Sequence, residues 1–355
     1  MKKKLILFCD GTWNQLSDTP TNVAKLFAAT QQDAADGTPQ IVHYVAGVGT
    51  RSWIERGIGG AFGWGISQNI KEGYRFICGN YEPGDEIYLF GFSRGAFCVR
   101  SLAGLIYNVG ILKRAHIRHI DEAYAGYKSK APAWHPNPKK GHAAKAFRER
   151  YAYGGETVRF LGVWDTVGAL GSPYGLVMGW LTDRLFGCRF HDTKLSRIIV
   201  SASHALARDE HRWPFRPTLW VLDERHAAEQ FHVMWFPGVH ADVGGGYAEE
   251  GLSDQALLWM AREAAAQGLG VGPMVQASDR CHHDSQCWYY RLMTCLWIKA
   301  PAFFLLDLPA RCAAHWPGIV FNLLRRLTLI SELRMEAKVR RISWRGDYQR
   351  DEAEG

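Results

Sequence analysis

The stretch Asp85-Glu86-Ile87-Tyr88-Leu89-Phe90-Gly91-Phe92-Ser93-Arg94-Gly95-Ala96-Phe97 decides the fold of this chain. It is a short apolar run that ends at Ser93, with Gly91 and Gly95 two positions to either side. This is the Gly-x-Ser-x-Gly pattern of a nucleophile elbow, a sharp turn between a strand and a helix. A Cβ on either glycine of such a turn would collide with neighbouring backbone. The pattern therefore predicts that Ser93 stands clear of a sheet as a nucleophile.

The residues on both sides of the motif favour an elbow over a plain Gly-Ser loop. Pro83-Gly84-Asp85 is a turn signal, residues 86–90 have the composition of a buried strand, and residues 96–109 follow a helical pattern. Strand, sharp turn and helix is the order that the elbow requires.

Composition sets the outer limits of the interpretation. The chain has 355 residues, of which 47% are hydrophobic, enough for one large core or two smaller ones. Fourteen tryptophans and a net charge of +7 are consistent with apolar and anionic partners. An excess of basic over acidic residues does not by itself indicate nucleic-acid binding, and we predict no nucleic-acid partner.

The N-terminal apolar run ends at Asp10 after five residues, too short for a signal peptide, and is predicted to be the first strand. The eight scattered cysteines are predicted to be reduced thiols of a protein made in the cytoplasm. Export without a signal peptide and peripheral membrane association stay open. Cys281-His282-His283 with Cys287 lacks the second ligand pair of a structural zinc site. We therefore predict no metal and no cofactor.

The turn Asp10-Gly11-Thr12 after the first strand has two interpretations. An aspartyl phosphatase would carry its nucleophile two positions earlier, where this chain has Phe8. In a serine hydrolase, such a turn suits the oxyanion hole, formed by the N–H after the nucleophile and an N–H that follows an earlier strand. Thr12 and Arg94 are the predicted donors.

Strands and helices alternate along the first part of the chain, which predicts a doubly wound, mostly parallel α/β sheet. Segments 8–14, 81–96, 163–168 and 235–247 together resemble the α/β-hydrolase domain shared with the first family of type VI secretion lipase effectors. The resemblance implies a Ser-Asp-His hydrolase, with phospholipase activity attributed to the secreted members. It also makes a delivery protein and an immunity protein candidate partners.

The acid and the base are predicted from strand ends. Asp165 follows the apolar run 159–164, at the edge where an open parallel sheet places functional groups, although an aspartate that caps a turn is the alternative there. His240 follows the last apolar run, 231–236, and completes the chain order Ser, Asp, His. We predict Asp165 as the acid and His240 as the general base.

Two alternative catalytic residues stay open. His204 is the rival base, but it lies in a helical pattern with Arg208 and Asp209, which favours a structural histidine. Asp242 is the rival acid.

We predict a catalytic domain over residues 1–268 and a C-terminal helical, aromatic and basic region over residues 269–355. An inserted helical cap over about residues 112–153 is rich in Lys and Arg, which suits either an anionic headgroup or a solvated surface. The apolar runs of the C-terminal region are too short to span a membrane. They either lie on an anionic membrane or pack against the sheet or a partner.

The predicted function is a serine hydrolase that cleaves the carboxylic ester of a lipid or phospholipid. A soluble carboxylesterase or thioesterase is the enzymatic alternative. A hydrolase fold kept as a non-catalytic binding or assembly module is the alternative of a different class.

Overall fold

The computed structural model describes residues 2–11, 14, 19–47, 59–129, 131–135, 141–167, 195–212, 215, 217–220, 230–279 and 281–285. The chain divides into two units, Met1–His283 and Asp284–Gly355. The first unit extends past the predicted domain boundary at residue 268. Nearly all of the second unit, and with it most of the predicted C-terminal region, lies outside the described residues.

The first unit is built on one sheet in which all neighbouring strands are parallel, in the order β2-β1-β3-β4-β5-β6. The strands are β1 (Lys4–Cys9), β2 (Gln40–Val45), β3 (Glu86–Phe92), β4 (Val158–Trp164), β5 (Ile199–Ala207) and β6 (Phe231–Phe236). The predicted class, a doubly wound parallel α/β sheet, is confirmed.

Helices lie between the strands and after the last of them. They are α1 (Asn22–Ala29), α2 (Gly59–Asn80), α3 (Arg94–Val109), α4 (Ile120–Lys128), α5 (His142–Tyr151), α6 (His240–Gly244) and α7 (Gly251–Ala266), with 3-10 turns at Arg114–His119 and Pro132–Trp134. The hydroxyl of Thr21 caps α1 by accepting the N–H of Ala24 at 3.2 Å.

Both faces of the sheet are covered, because strand side chains alternate between two apolar clusters. Leu5 and Leu7 of β1 pack with α2 and α3 on one face. Ile6 and Phe8 point to the other face and pack with α1 and α7. Burial on both faces explains why these strands read as continuous apolar runs.

The strand order reverses between β1 and β3. From β1 the chain adds β2 on one side, and it then returns to place β3 on the other side of β1. Such a switch point opens a crevice at the carboxyl ends of the strands, which is where open α/β sheets bind ligands. The Ser93 elbow follows β3 and therefore borders this crevice.

The insertion between α3 and β4 packs against the helical layer. Lys71 of α2 pairs with Asp121 at 2.9 Å, and Arg148 donates to the carbonyl of Tyr107 in α3 at 3.2 Å. In the part of this segment that the structure describes, the contacts are to α2, α3 and residues beside them. The cap over the active site stays a prediction.

The helical pattern predicted around His204 is wrong, because residues 199–207 form β5. The segment is rich in alanine and serine, and its intrinsic preference does not favour a strand. It pairs with β4 on one side and β6 on the other, so central ladder hydrogen bonds override local propensity.

Candidate active site

Ser93 lies at the turn between β3 and α3 with φ 56° and ψ −118°. This conformation is strained for a residue with a side chain. A Cβ on Gly91 would come within 2.6 Å of the carbonyl of Gly95, and a Cβ on Gly95 within 2.0 Å of the carbonyl oxygen of Cys9. The elbow backbone therefore passes too close to its neighbours for side chains at either glycine.

Asp165 follows β4 and is fully buried. Its N–H donates to the carbonyl of Ala205 at 2.7 Å, and its Oδ1 accepts the N–H of Ala207 at 3.1 Å. Its φ is 35°, and among the described residues Ser93 and Asp165 are the two non-glycine residues with positive φ. Strain of this kind persists where the surroundings hold it, often at functional sites.

His240 is the first residue of α6 and is buried. Its Nδ1 lies 2.5 Å from Oδ2 of Asp165, and Nδ1 is the donor in this contact because a carboxylate oxygen accepts. The ring packs against Phe92, with centroids 4.6 Å apart, and against the edge of Phe215 at 5.1 Å. The buried Nε2 has no hydrogen-bond partner among the described residues.

The structure thus brings Asp165 and His240 into direct contact. Ser93 lies beside them, because Phe92, the residue before it, packs on the histidine ring. No hydrogen bond between Ser93 and His240 occurs among the described contacts. Catalytic hydrogen bonds are often long before substrate binds.

Of the two predicted oxyanion donors, Thr12 lies outside the described residues and Arg94 is the first residue of α3. The turn that would present Thr12 reaches Ser93, because a Cβ on Gly11 would lie 3.3 Å from the Cβ of Ser93. Gly11, at the end of the described backbone after β1, therefore lies close to Ser93, and the oxyanion role of Thr12 stays a prediction.

Asp10 anchors this turn, a role that the sequence analysis missed. Its buried carboxylate accepts the N–H of Gly11 and the hydroxyls of Thr21 and Tyr44, each at 2.6 Å. Burial raises the pKa of Asp10, while these hydrogen bonds act in the opposite direction. The available signal was an aspartate directly after a buried strand and before a glycine.

His204 makes different contacts from His240. It is fully buried on β5, and its Nε2 accepts the N–H of Thr166 at 3.3 Å. Its ring lies 4.9 Å from that of Trp220. Burial lowers the pKa of His204 well below its ordinary range, and Arg100 adds to this effect. The ring is therefore neutral and held by backbone.

The described hydrogen bonds of Asp242 are made to groups other than the imidazole of His240. Its Oδ2 accepts the N–H of Val239 at 2.9 Å, at the start of α6, and its Oδ1 lies 2.6 Å from Nδ1 of His283. These contacts stabilise the helix that begins with His240. The described hydrogen bonds of Asp242 thus differ from those of an acid that orients the base.

Comparison with protein families gives the site its context. The family described as "T6SS, Phospholipase effector Tle1-like, catalytic domain" matches residues 3–263. The chain belongs to this family. The resemblance inferred from the sequence is confirmed, and the family's own description is that of a phospholipase effector catalytic domain.

One curated relative of the Tle1-like domain is the uncharacterized protein YEL023C of Saccharomyces cerevisiae, 31% identical over 232 residues. The match covers 60% of this chain and 32% of the yeast protein, so the chain spans about a third of that relative's length.

Among solved structures, the Tle1-like domain is similar to an uncharacterized protein from Pseudomonas aeruginosa, with a TM-score of 0.39 and 18% identity over 76% of this chain and 46% of the other. It is also similar to the Tle1 effector bound to the VgrG spike, with a TM-score of 0.36 and 20% identity over 70% and 52% of the two chains.

The described part of the Tle1-like domain contains no group of three or more His, Cys, Asp or Glu side chains placed to hold a metal ion. His283, in the motif weighed as a metal site, pairs with Asp242 and lies 3.3 Å from Glu249. Cys287 lies outside the described residues.

None of the helices that the structure describes is long and apolar enough to cross a membrane.

Proposed function

We propose that this domain is a serine hydrolase that cleaves the carboxylic ester of a phospholipid, with Ser93, Asp165 and His240 as its triad. The observation that carries the proposal is the 2.5 Å contact between His240 and Asp165, at the same edge of the sheet as the strained Ser93. Membership of the phospholipase effector family supports the lipid substrate.

In the proposed mechanism, Ser93 Oγ attacks the acyl carbon and Nε2 of His240 takes the hydroxyl proton. Asp165 accepts the hydrogen bond from Nδ1 and stabilises the imidazolium ion that forms. The N–H groups of Thr12 and Arg94 stabilise the oxyanion. His240 then returns the proton to the leaving alcohol, and a water molecule, activated in the same way, hydrolyses the acyl-enzyme.

The partners belong to the same proposal. Because the similar Tle1 effector is bound to a VgrG spike, we propose a delivery protein of that kind, and an immunity protein, for this chain. Contact with an anionic membrane is proposed from the basic C-terminal sequence, whose positive charges would each add about 1 kcal/mol of salt-sensitive attraction. Vesicle binding that strengthens with anionic lipid and weakens with salt would support it.

The test is an activity screen with p-nitrophenyl esters of increasing acyl length and with phospholipid vesicles. We expect Ser93→Ala to reduce turnover by a factor of about 10^4 or more, because the triad acts as a unit. A fluorophosphonate probe should label the wild type and not this variant. Ser67→Ala, which alters a serine on α2, is the matched control and should keep both activity and labelling.

Near-normal turnover by a folded Ser93→Ala protein would contradict the mechanism. Activity on short soluble esters without activity on vesicles would favour the carboxylesterase or thioesterase. A folded wild type that neither hydrolyses esters nor reacts with the probe would favour the non-catalytic module.

A further inference from the structure

The segment after β5 runs beside the loop that carries His240. The N–H of Arg208 donates to the carbonyl of Phe236 at 3.0 Å, and the N–H of Asp209 donates to the carbonyl of Gly238 at 3.0 Å. In return, the N–H of Gly238 donates to Oδ2 of Asp209 at 2.7 Å. The pairing of β5 with β6 is thus continued by polar contacts beyond the strand ends.

Glu210 extends these contacts to the histidine itself. Its side chain is only 1% exposed, and its Oε2 accepts the backbone N–H of His240 at 3.3 Å. Arg212 binds both oxygens, with Nε 2.9 Å from Oε1 and Nη2 2.7 Å from Oε2, and its N–H also donates to Oε1 at 2.7 Å. Although burial opposes ionisation, Arg212 holds the pKa of Glu210 below its ordinary value.

Arg212 is also linked to His240 through the ring of Phe215. Its guanidinium carbon lies 3.8 Å from the centroid of the Phe215 ring. Phe215 in turn meets the ring of His240 at 5.1 Å with an interplanar angle of 65°. The ion pair therefore contacts the backbone of His240 through Glu210 and supports its imidazole through Phe215.

We infer that Glu210 and Arg212 are positioning residues for His240: together they fix its backbone and ring so that Nδ1 meets Asp165 and Nε2 is directed towards Ser93. The inference rests on the proposed function, because it takes His240 as the general base. A buried carboxylate bound bidentately by an arginine has little freedom to move. A displacement of about 1 Å in such a site can reduce turnover by a factor of about 100.

The Glu210–Arg212 ion pair also has an electrostatic effect, which an uncharged contact between the two loops would not have. Among the described residues, the ionisable groups that contact His240 or residues bonded to it include Asp165 on β4, Glu210 and Arg212 after β5, and Asp242 on its own helix, which is paired with His283. Glu210→Gln removes the negative charge of the pair and keeps the positive one, whereas Arg212→Gln does the reverse. The two variants therefore change the electrostatic potential at the imidazole in opposite directions.

The experiment measures kcat and kcat/KM against pH on a soluble ester for the wild type, Glu210→Gln, Arg212→Gln and the double variant. The acidic limb of kcat/KM reports the base of the free enzyme. We expect kcat to fall by a factor of about 10 to 100 in each single variant, with KM nearly unchanged. The acidic limb should move to lower pH in Glu210→Gln, to higher pH in Arg212→Gln, and back towards the wild-type position in the double variant.

Two controls separate positioning from general damage. Glu149→Gln breaks the exposed pair with Lys145 and should leave both kcat and the limb unchanged. Arg212→Lys keeps the charge but cannot reproduce the bidentate contact or the stacking on Phe215. It should lower kcat while leaving the acidic limb in place, and it serves as the test if Arg212→Gln does not fold.

The inference would be overturned if the folded Glu210 and Arg212 variants kept the wild-type kcat. It would also be overturned if the acidic limbs of their pH profiles stayed fixed or moved in the same direction. In either case, Ser93-dependent activity of the wild type would leave the proposed function intact. A folded wild type with no Ser93-dependent turnover or probe labelling would overturn both.

Discussion

The imidazole of His240 and the carboxylate of Asp165 meet at 2.5 Å between Nδ1 and Oδ2, although 75 positions separate them along the chain. They come from the ends of β4 and β6, which are not neighbours, because β5 lies between them. Oδ1 of Asp165 accepts the N–H of Ala207, the last residue of β5, so the carboxylate is held as it reaches across that strand end. The carboxylate is fixed by backbone on one side and faces the imidazole on the other.

This relationship predicts opposite outcomes for the two candidate histidines. His240→Ala should match Ser93→Ala, with a loss in kcat of about 10^4 or more, since triad members act as a unit and their losses do not add. His204→Ala should keep activity within about tenfold. It should instead lower the free energy of unfolding by about 1–3 kcal/mol, because the buried N–H of Thr166 loses its acceptor.

Steady-state kinetics and urea unfolding of both variants provide the check. A large loss of kcat in a stable His204→Ala protein, together with an active His240→Ala protein, would move the general base to His204.

The elbow predicts a steric penalty that depends on position. In Gly95→Ala the new Cβ would lie 2.0 Å from the carbonyl oxygen of Cys9, which is backbone and cannot rotate away. We expect a loss of about 1–3 kcal/mol in unfolding free energy, and reduced turnover because the elbow must shift. Gly154→Ala, where no atom lies within 4 Å, is the matched control and should change stability by no more than about 0.5 kcal/mol.

Urea unfolding monitored by tryptophan fluorescence, together with ester turnover, measures both effects. Equal stability and activity of the two alanine variants would show that the elbow tolerates a side chain at Gly95.

The buried carboxylate of Asp10, beside the turn proposed to supply an oxyanion donor, predicts a pH dependence of stability. Burial raises the pKa of Asp10 in the folded state above its ordinary value of 3.8. At a pH between the ordinary pKa and the raised pKa of Asp10, the folded protein retains a proton that the unfolded chain has released. The stability of the wild type relative to Asp10→Asn should therefore fall as pH rises through this window, by at most about 1.4 kcal/mol per pH unit, and then level off.

Urea unfolding of both proteins from about pH 4 to about pH 8 tests this, because the other carboxylates cancel in the difference. A wild type that gains stability relative to Asp10→Asn as pH rises would mean that the hydrogen bonds from Thr21 and Tyr44 outweigh burial.

Parts of the site were predictable because their cause is local. The glycines around Ser93 reflect steric limits between residues that are near neighbours in the sequence. The elbow could therefore be predicted from a short sequence motif. The positions of Asp165 and His240 after apolar runs also follow from a local pattern, combined with the rule that parallel strands present their carboxyl ends at one edge.

His204 shows where this reasoning failed. Its segment, rich in alanine and serine, was predicted as helix, and it became β5 because β4 and β6 pair with it on both sides. Propensity differences of a few tenths of a kcal/mol per residue are small against two complete ladders of backbone hydrogen bonds. A residue's neighbours in the sheet, which no local pattern specifies, therefore decided its conformation.

The sequence by itself determined the strand-turn-helix at Ser93, the alternation that makes a parallel sheet, and the chain order of the proposed nucleophile, acid and base. Each depends on backbone sterics or on the period of apolar residues. The tertiary structure alone decided that Asp165 faces His240 while Asp242 faces His283, and that Glu210 lies against the backbone of His240. A carboxylate bonds to whichever donor the fold brings within about 3 Å, and that distance is set by strand order and loop pairing between segments far apart in the chain.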